Sequence, residues 1–427
     1  MDRANGAAAP YGRALALLAT LFFMWGFITV INNTLLPHLR SVFELNYTQT
    51  TLIESTWFIG YLVASIPSAK LIERIGYQKA LVVGLVIMTV GSLLMVPAAR
   101  LPSYEVTLVA LFTVACGIAL LQVAANPYVA VIGPSESAES RLTLVQAFNT
   151  TGDVLAVVFG RYLILNRTSG GTTLEGTQLT HAERMADAHA TQLPYLIVAA
   201  VLAVLAFAIA RAKLPALSEA TRRANAEERK HLSLWRHRNL VLGIFAIFVY
   251  LIAEIGVGNL FINFVSQPDI GNITHEQAAF YLTFVWGGMM VGRFAGAYIM
   301  RWMAPEKVLA AFAVGAFVTM MVASLAHGQA AMYGLMLVGL FHSIMFPTIF
   351  ALAIRGLGPL TEEGSGLLIM AIAGGALVIV QGWLADLYGI QASFFLTAAC
   401  ELLVLAYALW GSKPTAALPP EATQVTA

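Results

Sequence analysis

Polar side chains stand at helical spacing inside long apolar runs of this 427-residue chain. Gln146, Asn149 and Asp153 recur at i, i+3 and i+7, which places them on one stripe of a helix. Gln122 and Asn126 are one helical turn apart, and Glu54 shares a face with Trp57 and Tyr61. Asn32 and Asn33 follow Trp25 and Gly26; further on come Glu254, Asn259, Asn263, His342 and Gln381. An ionisable group at the centre of a bilayer costs about 2.5–3.5 kcal/mol on insertion scales, so each such residue needs a reason. Asn and Gln supply both a donor and an acceptor, the chemistry that hydroxyl-bearing solutes require. Apolar faces of a sugar ring pack on aromatic rings, for which Trp25, Trp57, Phe264, Trp286 and Trp383 are candidates. A carboxylate substrate would instead need a cation at mid-membrane. Arg293 lies in the cytoplasmic half of its run, so a neutral substrate fits better. Taken singly, each amide serves equally well as interhelical glue and each aromatic as packing; converging from two halves of a protein, they make a binding cavity.

Composition dictates the elements that must position these residues. The chain is 59% hydrophobic and 11% charged, where soluble domains carry about 25% charged residues. Mean hydropathy is +0.76 and net charge +1. These values exclude a soluble enzyme, a disordered regulator and a nucleic-acid binder. A spanning helix needs about 20 apolar residues, so the length suits twelve spans. The runs predict them near 14–38, 51–73, 79–99, 103–131, 141–165, 192–212, 238–264, 278–302, 306–326, 330–357, 362–387 and 391–412. Cys116 and Cys400 lie inside apolar runs and read as small core residues; no disulfide, metal site or cofactor is expected. The first apolar stretch leads straight into further spans, unlike a cleavable signal peptide.

Residues 211–238 are polar and basic, with Arg211, Lys213, Arg222, Arg223, Arg229, Lys230, Arg236 and Arg238. They divide an N-terminal six-helix bundle, 1–210, from a C-terminal one, 239–427, and read as a cytoplasmic linker. With both termini inside, the inner segments hold Arg3, Arg13, Lys70, Arg74, Lys79, Arg141, the eight linker residues, Arg301, Lys307, Arg355 and Lys413. The outer segments hold Arg40, Arg100, Arg161, Arg167 and Arg184, so the positive-inside rule supports cytoplasmic termini.

The halves repeat. Ala69–Gly76 at the end of span 2 aligns with Gly296–Met303 at the end of span 8, placing Arg74 on Arg301. Gln122 and His342 each stand five places before a proline, Pro127 and Pro347. Two similar six-helix halves imply an all-α, pseudo-two-fold transporter with its site between them at mid-membrane. Gly288, Gly292 and Gly296 at four-residue spacing predict close approach of two helix backbones, for packing or for sliding. Glu254 and Asn263 are nine residues apart, about half a turn round a helix. They can face one cavity only if span 7 breaks, for which Gly256 and Gly258 are the expected place.

Trp25-Gly-Phe, Asn32-Asn-Thr-Leu-Leu-Pro37, Ala124-Ala-Asn-Pro-Tyr-Val129, Arg141-Leu, Gln146-Ala-Phe-Asn149, Phe346-Pro-Thr-Ile-Phe350 and Gly364-Ser-Gly resemble the fucose permease family of the major facilitator superfamily. Leu121-Gln-Val is more similar to the glucose/galactose and N-acetylglucosamine permease branch. The resemblance implies the major facilitator fold, twelve helices in two six-helix bundles, in a bacterial inner membrane. It also implies import of a neutral hexose or N-acetylhexosamine by alternating access, with a proton rather than sodium as the coupled ion, and a monomeric working unit. Substrate contact is then expected of Trp25, Asn32, Asn33, Gln122, Asn126, Gln146, Asn149, Asn263 and His342.

Two departures bear on coupling. The family usually has Asp at the position of Asn33, and the fucose branch has Glu at that of Gln122. It more often has Gln where Glu54 stands, and a small or hydroxylated residue at Asp153. Either the acids are relocated, to Asp153, Glu54 or Glu254, or the protein is an uncoupled facilitator. Glu254 matches the sugar-permease branch, so sugar binding is its alternative role. Glu73, Arg74 and Gly76 partly match the superfamily's loop 2–3 gating signature, with Ala69 and Tyr77 departing from it; Glu73, Arg74, Arg293 and Arg301 are gating candidates, against a plain positive-inside anchor. A drug or metabolite exporter is the main rival, although span 5 lacks the Gly-Pro motif of drug antiporters. A membrane-embedded enzyme would need a catalytic loop. The best candidate, 166–192 with His181, Glu183, Asp187 and His189, has no second element to pair with. A non-transporting sugar receptor is the third alternative.

Overall fold

The computed structural model describes residues 12, 14–30, 47–100, 103–163, 192–212, 214, 227–229 and 231–414. Among these there is no strand, and twelve long helical segments fall where the apolar runs predict them. They are α1 (Ala14–Val30), α2 (Tyr47–Ile75), α3 (Tyr77–Arg100), α4 (Tyr104–Val131), α5 (Ala138–Leu163) and α6 (Gln192–Arg211). The second set is α7 (Arg238–Val265), α8 (His275–Ile299), α9 (Pro305–Leu325), α10 (Gly328–Ile354), α11 (Gly358–Tyr388) and α12 (Ile390–Gly411). Eight are long and apolar enough to cross a membrane on composition alone: α3, α4, α6, α7, α9, α10, α11 and α12. The described part of α1 is short. The helices α2, α5 and α8 are diluted by the very residues that could do chemistry, among them Glu54, Asp153 and Arg293.

Local chemistry sets the ends. Gly76, at φ 82°, makes the left-handed turn between α2 and α3, and Gly389, at φ 89°, the one between α11 and α12. Thr274 and Gln277 form a reciprocal capping box at the start of α8, and Pro305 opens α9. Arg141 reaches back over the end of α4, donating to the carbonyls of Val129 (3.2 Å), Ala130 (2.7 Å) and Pro134 (2.5 Å). The first two are carbonyls at the end of α4 with no partner inside the helix, and a cation there also meets the negative end of the helix dipole. Asn239, fully buried, does the same for α10, donating to Leu352, Ala353 and Arg355 carbonyls.

The chain divides into two compact units, one of Met1–Ala125 with Thr151–Ala216 and the other of Asn126–Thr150 with Leu217–Ala427. In the first, α3 and α6 lie side by side, and Gln78 at the start of α3 donates to Ile209 and Ala212 carbonyls at the end of α6 (2.8 and 2.7 Å). In the second, α9 and α12 lie side by side, and Gln391 at the start of α12 donates to Ala323 and Ala326 carbonyls (3.0 and 2.7 Å). The third and sixth helices of each half are thus joined by the same device, as a duplicated fold requires. Of the basic linker, Arg229 is described: it donates to the Pro359 carbonyl (2.9 Å) and pairs with Glu362 (3.3 Å).

The expected break in α7 is absent. The helix runs unbroken from Arg238 to Val265, so Glu254, half-buried, and Asn263, exposed, project to opposite sides. Gly256 serves close approach instead: a Cβ there would collide with the side-chain oxygen of Gln381. The interruptions fall elsewhere, at Ser343–Ile344 in α10 and in a tighter 3-10 stretch, Ala371–Leu377, in α11.

Candidate functional site

The break in α10 follows from Pro347. Proline has no N–H to offer the carbonyl four residues back, which is that of Ser343. Arg293 fills the vacancy: its Nε donates to the Ser343 carbonyl at 3.0 Å. The carbonyl of His342, the last residue before the break, accepts from the Tyr250 hydroxyl at 3.1 Å. Two side chains, from α8 and α7, therefore cap an interrupted helix where lipid could offer nothing. The three glycines of α8 make this approach possible. A Cβ at Gly288 would stand 3.3 Å from Leu340 N, while at Gly292 and Gly296 it would run into Ser343 and Ile344. The four-residue spacing thus marks the α8–α10 contact.

Arg293 has a second set of acceptors on α5. Its NH1 donates to the Gln146 carbonyl at 3.0 Å and to the Thr150 hydroxyl. The α5–α8 seam continues through a Phe148–Phe294 edge contact (5.9 Å) and a bond from Ser140 Oγ to the Ala297 carbonyl (2.6 Å). Around Arg293 gather Glu254, Tyr250, His342 and Glu401, each close enough to act electrostatically on another. His342 and Glu401 are both buried and meet at 2.7 Å between Nε2 and Oε1. The Tyr250 ring stands edge-on to the imidazole, 5.6 Å away.

The amides of α4 and α5 are buried as well. Gln146 donates to Asn126 Oδ1 at 3.3 Å. Asn126 is fully buried, and its Nδ2 has no hydrogen-bond partner among the described residues. In the other unit, Gln122 donates to the Tyr61 hydroxyl at 2.6 Å, joining α4 to the polar face of α2. Asn149 is buried and Asp153 half-buried on α5. Gly152 between them packs so tightly on α1 that a Cβ would strike the Phe23 carbonyl. Trp25 is buried against Phe22 (5.3 Å). Trp57 packs on the Met95–Ala110–Leu111–Ala156–Tyr195 cluster, and Phe264 is fully buried against Phe394 (5.1 Å). Trp286 lies beside Gly258, and Trp383 is exposed. Asn32, Asn33, the Glu54 side chain, loop residues 166–191 and the linker residues 213, 215–226 and 230 lie outside the described residues.

At the end where α5 and α9 begin, Arg355 bridges two carboxylates: Glu139 at the start of α5 (2.5 Å) and Glu306 at the start of α9 (2.6 Å). Burial alone would lower the pKa of Arg355, but Glu139 and Glu306 outweigh it and hold the guanidinium above its ordinary value. Of the gating candidates, Arg301 is exposed with its guanidinium 5.9 Å from the Trp302 ring centroid. Arg74 is exposed and Glu73 half-buried. Sequence reasoning missed Tyr250, Thr150, Glu139 and Glu401. The last had a legible signal, a carboxylate in the apolar run Ala398–Ala406.

The geometry has the marks of one architecture: two helical sets with matching internal joints, an interrupted helix capped by side chains, and polar groups at mid-helix. A model of the Major Facilitator Superfamily matches residues 16–378. The chain belongs to that superfamily. Its fold is therefore the twelve-span all-α fold of two six-helix bundles, and it is a multi-pass membrane protein. The chain is 44% identical to a Brucella abortus glucose/galactose transporter over 94% of its own length and 95% of that protein. It is 33% identical to the Escherichia coli L-fucose-proton symporter over 97% and 96%. A crystal structure of the superfamily transporter FucP in the outward conformation superimposes with a TM-score of 0.83 at 33% identity, covering 95% of this chain and all of that one. The likeness to the fucose permease family read from Trp25, Ala124–Val129 and Gln146–Asn149 is thus confirmed across nearly the whole chain.

Proposed function

We propose that the protein is a secondary transporter, not an enzyme, that imports a neutral hexose of the glucose/galactose class by alternating access, coupled to a proton. The carrying observation is the state of the polar groups at mid-helix. Arg293, the cation a carboxylate substrate would need, is spent on the Ser343 and Gln146 carbonyls and the Thr150 hydroxyl. What is left for a ligand is amide chemistry, with a buried Asn126 Nδ2 lacking an acceptor. Burying an amide N–H without a partner costs about 1–3 kcal/mol, and a sugar hydroxyl or a water relieves it. Trp25, Asn32, Asn33, Gln122, Asn126, Gln146, Asn149 and Asn263 form the proposed sugar-contacting set. The Nε2 of His342 is engaged by Glu401, which leaves the amides as the main polar contacts. The greater likeness to the glucose/galactose transporter than to the fucose symporter supports hexose over deoxyhexose.

Coupling is assigned to the carboxylates Glu54, Asp153 and Glu254, of which Glu254 lies beside Arg293 and His342. The amides at 33 and 122 favour an uncoupled facilitator as the second reading. The two bundles, 1–210 and 239–427, joined by the linker 211–238, are taken as the moving parts of a monomer. Placement in a bacterial inner membrane rests on the family likeness, and the cytoplasmic termini on the basic residues of the inner loops. The test is counterflow of labelled glucose in liposomes, competed by galactose, fucose and N-acetylglucosamine, with lipophilic cations as the exporter control. Competition by galactose and not by the cations is expected; efflux of the cations without sugar exchange would defeat the proposal. Medium alkalinisation on sugar addition separates the symporter from the facilitator.

A further inference from the structure

His342 and Glu401 form a buried ionisable pair that the sugar-binding amides do not explain. Both lie near the middle of their helices, α10 and α12, and both are shielded from solvent, His342 at 2% and Glu401 at 0%. Their Nε2–Oε1 separation is 2.7 Å. The second carboxylate oxygen of Glu401 is buried with no hydrogen-bond partner among the described residues, as is the hydroxyl of Thr397 one turn earlier. A pair kept only for packing would be better served by apolar side chains, because desolvating two charges offsets their attraction. In lipid the default meaning of such groups is ion or proton handling.

The surroundings point the same way. From α7 come Tyr250 and Glu254, from α8 Arg293, and on α12 itself Cys400 adjoins Glu401. The helix α9, packed along α12, brings no titratable side chain between Val308 and Leu325. The helix α11 brings Gln381, buried, and carries its titratable side chains only at its two ends, Glu362 and Glu363 at the start and Asp386 and Tyr388 at the finish. Glu254, Glu401 and Arg293 together carry one net negative charge. One proton on the pair cancels it, and a neutral cluster is the form that a low-dielectric interior accepts. His342 is also the last residue before the α10 break, and its carbonyl is held by Tyr250. A change of charge on its ring therefore acts on the interrupted helix directly.

We propose that the His342–Glu401 pair is a proton-carrying site of this transporter. It rests on the proton-coupled reading above and adds a required station for that proton beyond the carboxylates Glu54, Asp153 and Glu254. On loading, a proton from water on one side joins the neutral imidazole, giving imidazolium against carboxylate. On unloading, the same proton leaves to water on the other side and the neutral imidazole remains hydrogen-bonded to the carboxylate. No other bond is made or broken. The site uses α10 and α12, not the positions of Asn33 and Gln122, where this chain has amides.

The experiment is sugar-driven alkalinisation beside sugar counterflow, both in liposomes, for wild type, Glu401→Gln, Glu401→Asp and His342→Gln. Counterflow needs no net proton movement. Glu401→Gln is expected to keep counterflow and lose alkalinisation. Glu401→Asp is expected to keep both with a shifted pH profile, and His342→Gln to lose alkalinisation. Alkalinisation at the wild-type rate in Glu401→Gln overturns the assignment. So does loss of both activities in Glu401→Gln that Glu401→Asp does not restore. If Glu401→Gln fails to assemble, His342→Gln decides, and wild-type alkalinisation there overturns it. A wild type that exchanges sugar without alkalinisation defeats the coupled reading itself, a different result from any variant's failure.

Discussion

Replacing Arg355 by alanine strikes a place where α5, α9 and the α10–α11 turn are tied by charge. Arg355 donates to Glu139 at 2.5 Å and to Glu306 at 2.6 Å. The two arms differ. The Glu139 side chain is 2% exposed, while Glu306 and Arg355 are 27% and 29% exposed. Without Arg355, Glu306 turns to water, and that arm is worth about 0–1 kcal/mol. Glu139 has no such escape, and its Oε2 already lacks a hydrogen-bond partner among the described residues. Breaking a buried pair by removing one member costs about 3–5 kcal/mol, and the partial exposure of Arg355 argues for the lower figure. About 3 kcal/mol is roughly a hundredfold in a conformational equilibrium. If the triad exists only while the inner ends are gathered, Arg355→Ala moves the population towards the inward-open state by about that factor. Adding Glu139→Gln removes the stranded charge and restores part of the balance. The assay is a pulsed electron-spin distance measurement between labels on the α4–α5 and α10–α11 turns. Arg355→Ala should lengthen the main distance and the double variant should partly recover it. A distribution for Arg355→Ala that overlays wild type, or a double variant identical to the single, would refute the reasoning.

Three further outcomes are expected. Arg293→Lys keeps the charge but cannot serve the Ser343 and Gln146 carbonyls and Thr150 together, so transport should slow by about tenfold or more with sugar affinity changed less; an unchanged rate would show that the α10 break needs no cap. Gln122→Ala loses the 2.6 Å bond to Tyr61 and should weaken sugar binding by roughly 3–10-fold, read by tryptophan fluorescence, since a hydrogen bond contributes about 0.5–1.5 kcal/mol. Gly256→Val pushes α7 off Gln381 and should lower thermal stability in detergent by about 1–3 kcal/mol, as overpacking does; a variant as stable as wild type would mean that the two helices are not in tight contact.

Much of the architecture could be read from the chain, because in lipid the backbone has to be helical and the length of an apolar run states the length of the helix. The runs near 79–99, 103–131 and 238–264 reappear as α3, α4 and α7 with ends moved by a few residues. The pairing of Gln122 and His342 with downstream prolines recurs in both halves of the chain, and both residues are buried. Its two copies behave differently, however: α4 stays helical through Pro127, while α10 breaks ahead of Pro347. Nothing in the spacing distinguishes them, since the difference lies in whether Arg293 and Tyr250 arrive to donate to the freed carbonyls. Gly256 and Gly258 misled for a related reason. Glycine weakens a helix but also admits a neighbour, and Gln381 took that space.

Lipid exclusion, the six-helix duplication and the supply of amides and lone acids are properties of residue type and order, and they stand in the chain before it folds. Which of those groups is consumed by the protein and which is left for a solute depends on distances between helices far apart in sequence. Arg293 and Thr150, or His342 and Glu401, lie 143 and 59 residues apart along the chain. Periodicity cannot join such pairs, because it reports the face of one helix and not the neighbour that the face will meet.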